Sequence, residues 1–399
     1  MLDVTVRETV KATAPVLAEH GLTITRHFYA RMFEHNPELK NIFNQSHQAV
    51  GDQPQALANA VYAYAENIDA PERLESAIRR ITHKHASLGV TPEQYDVVGH
   101  HLLASIREVL GEAATDEILH AWEKAYDQLA GLLIDEEARL YREAAEAVGG
   151  WTGWQDFKVV RKAPESSEIT SFYLRPADGG PVPHFSPGQY VSVNVRIPEL
   201  NLLQPRQYSL SDAPNGDYLR ISVKRESGHN GAPAGKVSML LHQNIAEGDL
   251  VSVSPPFGEF RLDESSDKPV LLVSGGVGLT PMMGILKQLL SSQRQVLLVH
   301  GARDGDRLAL WNEVREVTAA SESRMESMLF LEDTSGSEDW DHQGQVDLAT
   351  IAERLPADPV CYLCGPLPFT RMQRRFLREH GVADRHIHHE VFGSDILEP

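Results

Sequence analysis

The sequence predicts three domains in series: an all-α domain over residues 1–148, an antiparallel β-barrel over 151–263, and an α/β domain with a parallel sheet over 267–399. Three changes of pattern carry this. Ile118, Ala121, Trp122, Ala125, Leu129, Leu132 and Leu133 recur at the three-and-four spacing of a buried helix face. From Trp154 the chain breaks into short alternating runs separated by glycine and proline, as antiparallel strands do. Val270 to Ser274 is then a continuous apolar run, the pattern of a buried parallel strand.

Composition narrows the function. The chain has 399 residues and 42% hydrophobic content, enough for two or three cored domains. Lys and Arg total 37 against 56 Asp and Glu, a net charge of −19, which argues against nucleic acid or anionic membrane as the main partner. Two cysteines, Cys361 and Cys364, exclude a disulfide framework and fit a reducing compartment. Met1 to Pro15 lacks the basic-then-apolar build of a signal peptide, and no apolar run reaches the roughly 18 residues of a span. A soluble, cytoplasmic protein is expected.

The first domain reads as six or seven helices. Pro37, Pro54, Pro71 and Pro92 each fall near a plausible helix start. Thr91-Pro92-Glu93-Gln94 combines a cap with a glutamine three residues on. His83 and His85 close a helix just before Gly89, and a neutral imidazole is the usual axial ligand of a gas-binding haem. The two point about 200° apart on a helix, so at most one faces a given pocket. His85 is favoured, because Tyr95 and Glu137 can be drawn as a chain that holds its ring.

Gly149-Gly150 ends the helices. Strands follow at Phe157–Val160, Ile169–Leu174, Phe185–Val193 and Ile221–Arg225. Between them lies Arg206-Gln207-Tyr208-Ser209, a stretch suited to a flavin. The arginine can hold a pyrophosphate, the tyrosine can lie on a flat ring, and the serine can bond a ring edge. Pro205 marks that strand as an edge or a bulge. Gly235-Lys236-Val237-Ser238 opens a short helix whose free N–H groups suit a pyrophosphate.

In the third domain, Gly275-Gly276-Val277-Gly278-Leu279-Thr280-Pro281 joins the apolar strand to a helix at Met282. Strand, glycine loop and helix N-terminus together form a place for a dinucleotide phosphate. A second strand runs from Val296 to His300 and a third over Met328–Leu331. Cys361 and Cys364 have Cys-x-x-Cys spacing, but a strand puts them on opposite faces and no second pair exists, which removes zinc and a redox disulfide.

Residues 1–148 resemble the globin domain of the bacterial flavohaemoglobins, on Met32 to Lys40 and Lys84 to Val90. Pro187-Gly188-Gln189-Tyr190, Arg206 to Ser209, the Gly275–Pro281 loop and Cys364-Gly365-Pro366 resemble the ferredoxin-reductase-like module of the same family. The resemblance implies haem b, FAD, and NADH or NADPH as cofactors. It implies that His85 is the proximal iron ligand, with Tyr95 and Glu137 as its relay and Lys84 tuning redox behaviour. Phe43 would wedge the haem, while Tyr29 and Gln53 would line the distal side, Tyr29 bonding the gas ligand. It places the flavin near Tyr190, Arg206, Gln207, Tyr208, Ser209, Lys224, Gly235, Val237 and Ser238. It assigns the nucleotide to the glycine loop with Cys364, Gly365 and Pro366, and the returning tail to Glu390, Val391, Phe392, Gly393 and Ser394. Ser394 stands where the family commonly has proline.

The implied activity is nitric oxide dioxygenation: NAD(P)H gives a hydride to the flavin, electrons pass singly to the iron, and nitric oxide and oxygen become nitrate. The expected partners are therefore small molecules, O2, NO and NAD(P)H, acting on a monomer with no stable membrane anchoring. Two other readings remain open. One is an oxygen-binding or sensing globin. The other is a reductase of outside acceptors such as quinone, ferric iron or lipid hydroperoxide. NADH and NADPH are not separated, since Arg303 reads equally as a 2′-phosphate partner and as a surface residue.

Overall fold

The structure is a computed structural model that describes residues 2–45, 51–228, 233–337 and 339–392, with Asp52 described in its backbone only. Its first part is helical: α1 (Val4–His35), α2 (Asp52–Glu66), α3 (Glu75–Leu88), α4 (Pro92–Leu110) and α5 (Asp116–Glu146). Among the described residues this is five α-helices, not six or seven. Pro37 and Pro71 open only 3-10 turns, Pro37–Asn41 and Pro71–Leu74, because segments of five and four residues are too short to close a stable α-helix. Pro92 opens α4, where the Gln94 side chain accepts from the Thr91 N–H at 3.2 Å. Phe28, Met32, Ile106 and Trp122 centre the helical core.

Among the described residues, six strands form the second part: β1 (Gln155–Pro164), β2 (Ile169–Pro176), β3 (Tyr190–Ile197), β4 (Leu202–Ser209), β5 (Leu219–Lys224) and β6 (Leu250–Val253). Helix α6 (Lys236–Asn244) lies between β5 and β6. The order is β4-β3-β6-β1-β2-β5, with antiparallel pairing throughout. A bridge between Leu210 and Ile221 joins the two ends into a barrel. Phe157, Phe172, Leu174, Val191 and Val223 fill it. Phe185–Gln189 is not strand: Gly188 turns the chain at φ +101, and a side chain there would meet the Phe260 carbonyl at 2.3 Å.

The third part contains β7 (Val270–Gly275), α7 (Leu279–Leu289), β8 (Val296–Ala302), α8 (Trp311–Ala319), β9 (Met325–Leu331), β10 (His342–Gln343), β11 (Val360–Cys364), α9 (Leu367–Glu379) and β12 (Ile387–Glu390). Its sheet is parallel, ordered β10-β9-β8-β7-β11-β12. The strand order runs one way from β7 to β10 and the other way through β11 to β12. The switch point therefore lies between β7 and β11, where open α/β sheets bind ligands.

The helical part and the barrel meet through polar contacts. Pro205 sits on the barrel strand β4, whose outer edge faces the Pro37–Asn41 turn rather than another strand. There the Leu203 N–H donates to Asn41 Oδ1 at 2.8 Å and Gln204 Nε2 to the Lys40 carbonyl at 2.9 Å. A hydroxyl chain runs deeper. Gln207 Nε2 donates to Ser192 Oγ (3.1 Å), Ser192 to Ser87 Oγ (3.0 Å), and Ser87 to the Lys84 carbonyl (2.8 Å). Ser87 and Ser192 are both fully buried. Ser192→Ala should remove the acceptor of Gln207 Nε2 and the donor to the buried Ser87 Oγ and destabilise the protein by about 1–3 kcal/mol, read as a lower denaturant midpoint. Ser87→Ala in the same background should cost less than it does alone, because its bond to Ser192 is already gone and only its donation to the Lys84 carbonyl is lost.

Candidate functional site

Helix α3 ends where Gly89 takes a left-handed conformation at φ +73, leaving His85 in the last turn. Tyr95 stands in the first turn of α4 and Glu137 in the middle of α5. The three converge as a triangle rather than a chain. His85 Nδ1 lies 2.8 Å from Tyr95 Oη and 2.9 Å from Glu137 Oε1, and Tyr95 donates to the same Oε1 at 2.5 Å. A carboxylate only accepts, so Nδ1 carries the hydrogen and the Nε2 lone pair is left for a metal. Glu137 is 3% exposed, whereas the His85 side chain is 33% exposed, so the ring is held from behind and open in front. Burial, and then the Glu137 charge, push the Tyr95 phenol well above its ordinary range.

His83 takes the opposite face. It is buried, its Nδ1 accepts from the Gly258 N–H at 3.1 Å, and Arg261 lies 3.3 Å from Nε2. Burial and then Arg261 hold its imidazole down at about 3, so it is a neutral contact to the barrel. Lys84, between the two histidines, is half-buried.

In the helical core, Tyr29 is buried in an aromatic cluster. Its ring lies 4.8 Å from Phe28, 5.9 Å from Phe33 and 5.7 Å from Phe43. Gln53 is the second residue of α2 and half-buried.

In the barrel, Tyr190 and Ser209 are register partners on β3 and β4. Ser209 Oγ is buried with no hydrogen-bond partner, an orphan that a ligand atom would satisfy. Tyr208 packs at the edge of the barrel core. Arg206 Nη2 donates to Asn44 Oδ1 of the helical part at 2.7 Å, and burial lowers its guanidinium pKa. Lys224 ends β5 between Glu168 (3.8 Å) and Glu226 (3.6 Å). Gly235 precedes α6, and a side chain there would strike Ser238 Oγ at 2.8 Å. Ser238 donates to the Gly235 carbonyl and accepts from the Glu226 N–H, which fixes the helix start. Val237 is core. This cradle fits a flavin.

The Gly275–Pro281 loop lies at the carboxyl end of β7 and Cys364-Gly365-Pro366 at that of β11, on the two flanks of the switch point. Gly276 has φ +55 with open space beside it. Gly278 packs so closely that a Cβ would stand 2.2 Å from the Cys364 carbonyl, while Thr280 Oγ1 donates to the Val277 carbonyl at 2.9 Å. Leu279 opens α7 and Pro281 is buried. Cys361 and Cys364 are both buried and belong to different apolar layers, as their spacing requires. Glu390 pairs with Cys364 at the end of β12, Val391 follows, and Phe392 is exposed. Gly393 and Ser394 lie outside the described residues. Arg303 is exposed just beyond β8.

Asn44, Ser87 and Ser192 join these sites, yet the sequence did not mark them. Their partners lie more than a hundred residues away, and short polar residues carry no periodic signal.

Comparison with known proteins agrees with this arrangement. The globin family profile matches residues 26–133, the oxidoreductase FAD-binding domain 156–262, and the oxidoreductase NAD-binding domain 272–375. The flavohemoprotein of Bordetella pertussis is 56% identical over 99% of both chains, and that of Rhizobium meliloti 52% identical over the full length of both. The crystal structure of a flavohemoglobin from Malassezia yamatoensis, with bound FAD and haem, superposes with a TM-score of 0.87 at 31% identity, covering 98% of this chain and 100% of that one. Fold and sites thus define an oxidoreductase built from a haem globin, an FAD barrel and a nicotinamide-nucleotide domain. The chain belongs to the flavohaemoprotein family.

The triangle makes a pH prediction. Tyr95 titrates higher folded than unfolded, so the stability it contributes is full below the ordinary tyrosine range near pH 10 and is lost as pH rises through and above it. The denaturant midpoint should fall between about pH 10 and 11, and Tyr95→Phe should flatten that slope.

Proposed function

We propose that the protein is an NAD(P)H-dependent nitric oxide dioxygenase. Two molecules each of nitric oxide and dioxygen, with one hydride from the nucleotide, become two nitrates, an oxidised nucleotide and one proton. The observation that carries this is the His85 imidazole, clamped at Nδ1 by Tyr95 and Glu137 and facing away from the barrel contacts of His83. A globin used only to store gas needs no attached reductase. The solved FAD- and NAD-binding domain of a Vibrio cholerae protein titled nitric oxide dioxygenase is 36% identical over 60% of this chain and 98% of that one, with a TM-score of 0.54.

Bound haem would supply the iron at which the gases react, and bound FAD the conversion of a two-electron hydride into single electrons. The chain's own residues do the rest. His85 Nε2 would hold the haem iron. Glu137 holds the Nδ1 hydrogen and makes the imidazole a stronger donor, with Tyr95 fixing the carboxylate's direction. Phe43 would pack on the haem, Tyr29 would donate a hydrogen bond to dioxygen with Gln53 beside it, and Lys84 would add positive charge near the haem. Arg206 and the α6 N-terminus take the flavin phosphates, Tyr190 and Tyr208 its rings, and Ser209 its edge. The loop at 275–281 and Cys364-Gly365-Pro366 take the nucleotide.

Purified, haem- and FAD-loaded protein should consume nitric oxide aerobically, giving one nitrate per nitric oxide and half a nucleotide each. Nucleotide oxidation without nitric oxide loss would instead support the reductase of outside acceptors. His85→Ala should lose haem on desalting. Tyr29→Phe should keep haem and flavin reduction but slow nitric oxide consumption by roughly 100-fold, the scale of one lost donor at a developing charge.

A further inference from the structure

Four charged side chains meet where the barrel touches the nucleotide domain, and none is explained by the sites above. Asp212 and Arg220 come from the barrel, Lys287 from α7 and Glu313 from α8. Arg220 donates to both oxygens of Glu313, at 2.9 and 3.1 Å, and lies 3.7 Å from Asp212. Lys287 donates to Asp212 at 2.7 Å and also pairs with Glu313. Arg220 and Asp212 are 3% and 7% exposed. Two cations face two anions in alternation, so the cluster is neutral and each charge has two opposite neighbours. Removing one leaves a buried charge unbalanced.

The place of this cluster in the chain gives it meaning. Asp212 lies three residues beyond Ser209, on the segment that carries the flavin stretch. Lys287 lies on α7, whose N-terminus is the glycine loop. The same helix is pressed to the same segment at Gly284, where a Cβ would stand 2.9 Å from the Asp212 carbonyl and 3.3 Å from that of Leu210. A single rigid helix therefore connects the nucleotide loop at one end to the continuation of the flavin strand near the other.

We propose that the Asp212–Arg220–Lys287–Glu313 cluster, with Gly284, is the positioning device for hydride transfer, setting where the nicotinamide loop stands against the flavin strand. This rests on the reading above only as far as a nicotinamide nucleotide reduces the bound flavin. In that step the nicotinamide loses hydrogen with its electron pair and the flavin gains both. The four residues touch neither partner, and they act by holding α7 in register.

The test is anaerobic stopped-flow of the holoenzyme, following flavin reduction at increasing nucleotide concentration, with hydrogen exchange at residues 279–289 measured in parallel. Lys287→Met and Glu313→Gln should slow flavin reduction at saturating nucleotide by about 10- to 100-fold, the scale of small misplacements between reacting groups. Nucleotide Kd should change little, and exchange in α7 should rise. Lys287→Arg should keep the rate. Haem reduction through photoreduced flavin, which bypasses the nucleotide, should be unchanged. An unchanged saturating rate, or an effect confined to Kd, overturns the proposal, as does an equal slowing of the light-driven step. If the charge variants do not fold, Gly284→Ala, which wedges the contact without altering charge, must slow the same step, and an unaltered rate there is also disproof. Absence of nitric oxide consumption, with flavin reduction still sensitive to the cluster, would defeat the proposed function and leave this inference standing.

Discussion

Helix α3 is used on both faces, and the rest of the arrangement depends on that constraint. His85 faces the Tyr95–Glu137 pair, while His83 and Ser87 are fastened to the barrel through Gly258 and Ser192. Because these anchors lie within one turn or so of one another, the helix cannot rotate to improve one contact without breaking the others. The haem side and the flavin side are therefore set by a single rigid element, and an error in its rotation would be felt at both. This suits electron transfer, which depends on fixed separation more than on contact area.

The barrel is fixed from two directions. Toward the helical part its contacts are made largely by hydroxyls, amides and carbonyls, joined by Arg206 on Asn44, Arg261 beside His83 and the Arg79–Glu259 pair. Toward the nucleotide domain they add the Asp212–Arg220–Lys287–Glu313 ion cluster to apolar packing by Ile169, Phe260 and Leu262. Neutral hydrogen bonds depend on short range and alignment, whereas a balanced cluster of charges acts over a longer range and draws α7 back into register. The barrel is thus registered on one side by hydrogen bonds and on the other by charge, where a nucleotide must enter and leave.

Much of this was legible in the sequence, for identifiable reasons. Period, glycine clusters and proline placement report local physics, so the change from helix to barrel to parallel sheet could be read, as could the edge position of Pro205. His85, Tyr95 and Glu137 could be drawn together, but not their triangular geometry, which requires α5 to deliver Glu137 within reach of both partners. Phe185–Gln189 read as strand because its residues suit one; Gly188 at φ +101 and the close Phe260 carbonyl make it a turn. The 3-10 turns at Pro37 and Pro71 read as helices because a start signal says nothing of length. Ser87, Ser192, Asp212 and Glu313 were invisible, since a lone serine or carboxylate gains meaning only from a partner far along the chain.

The two cysteines have one more consequence. Both thiols are fully buried, burial pushes Cys361 up to about 12, and burial with the neighbouring Glu390 charge raises Cys364 well above the usual thiol range. The thiolate is the form that nitrosating agents and peroxides attack. The two cysteines are therefore held as neutral thiols, although one lies in the strand end beside the nucleotide loop.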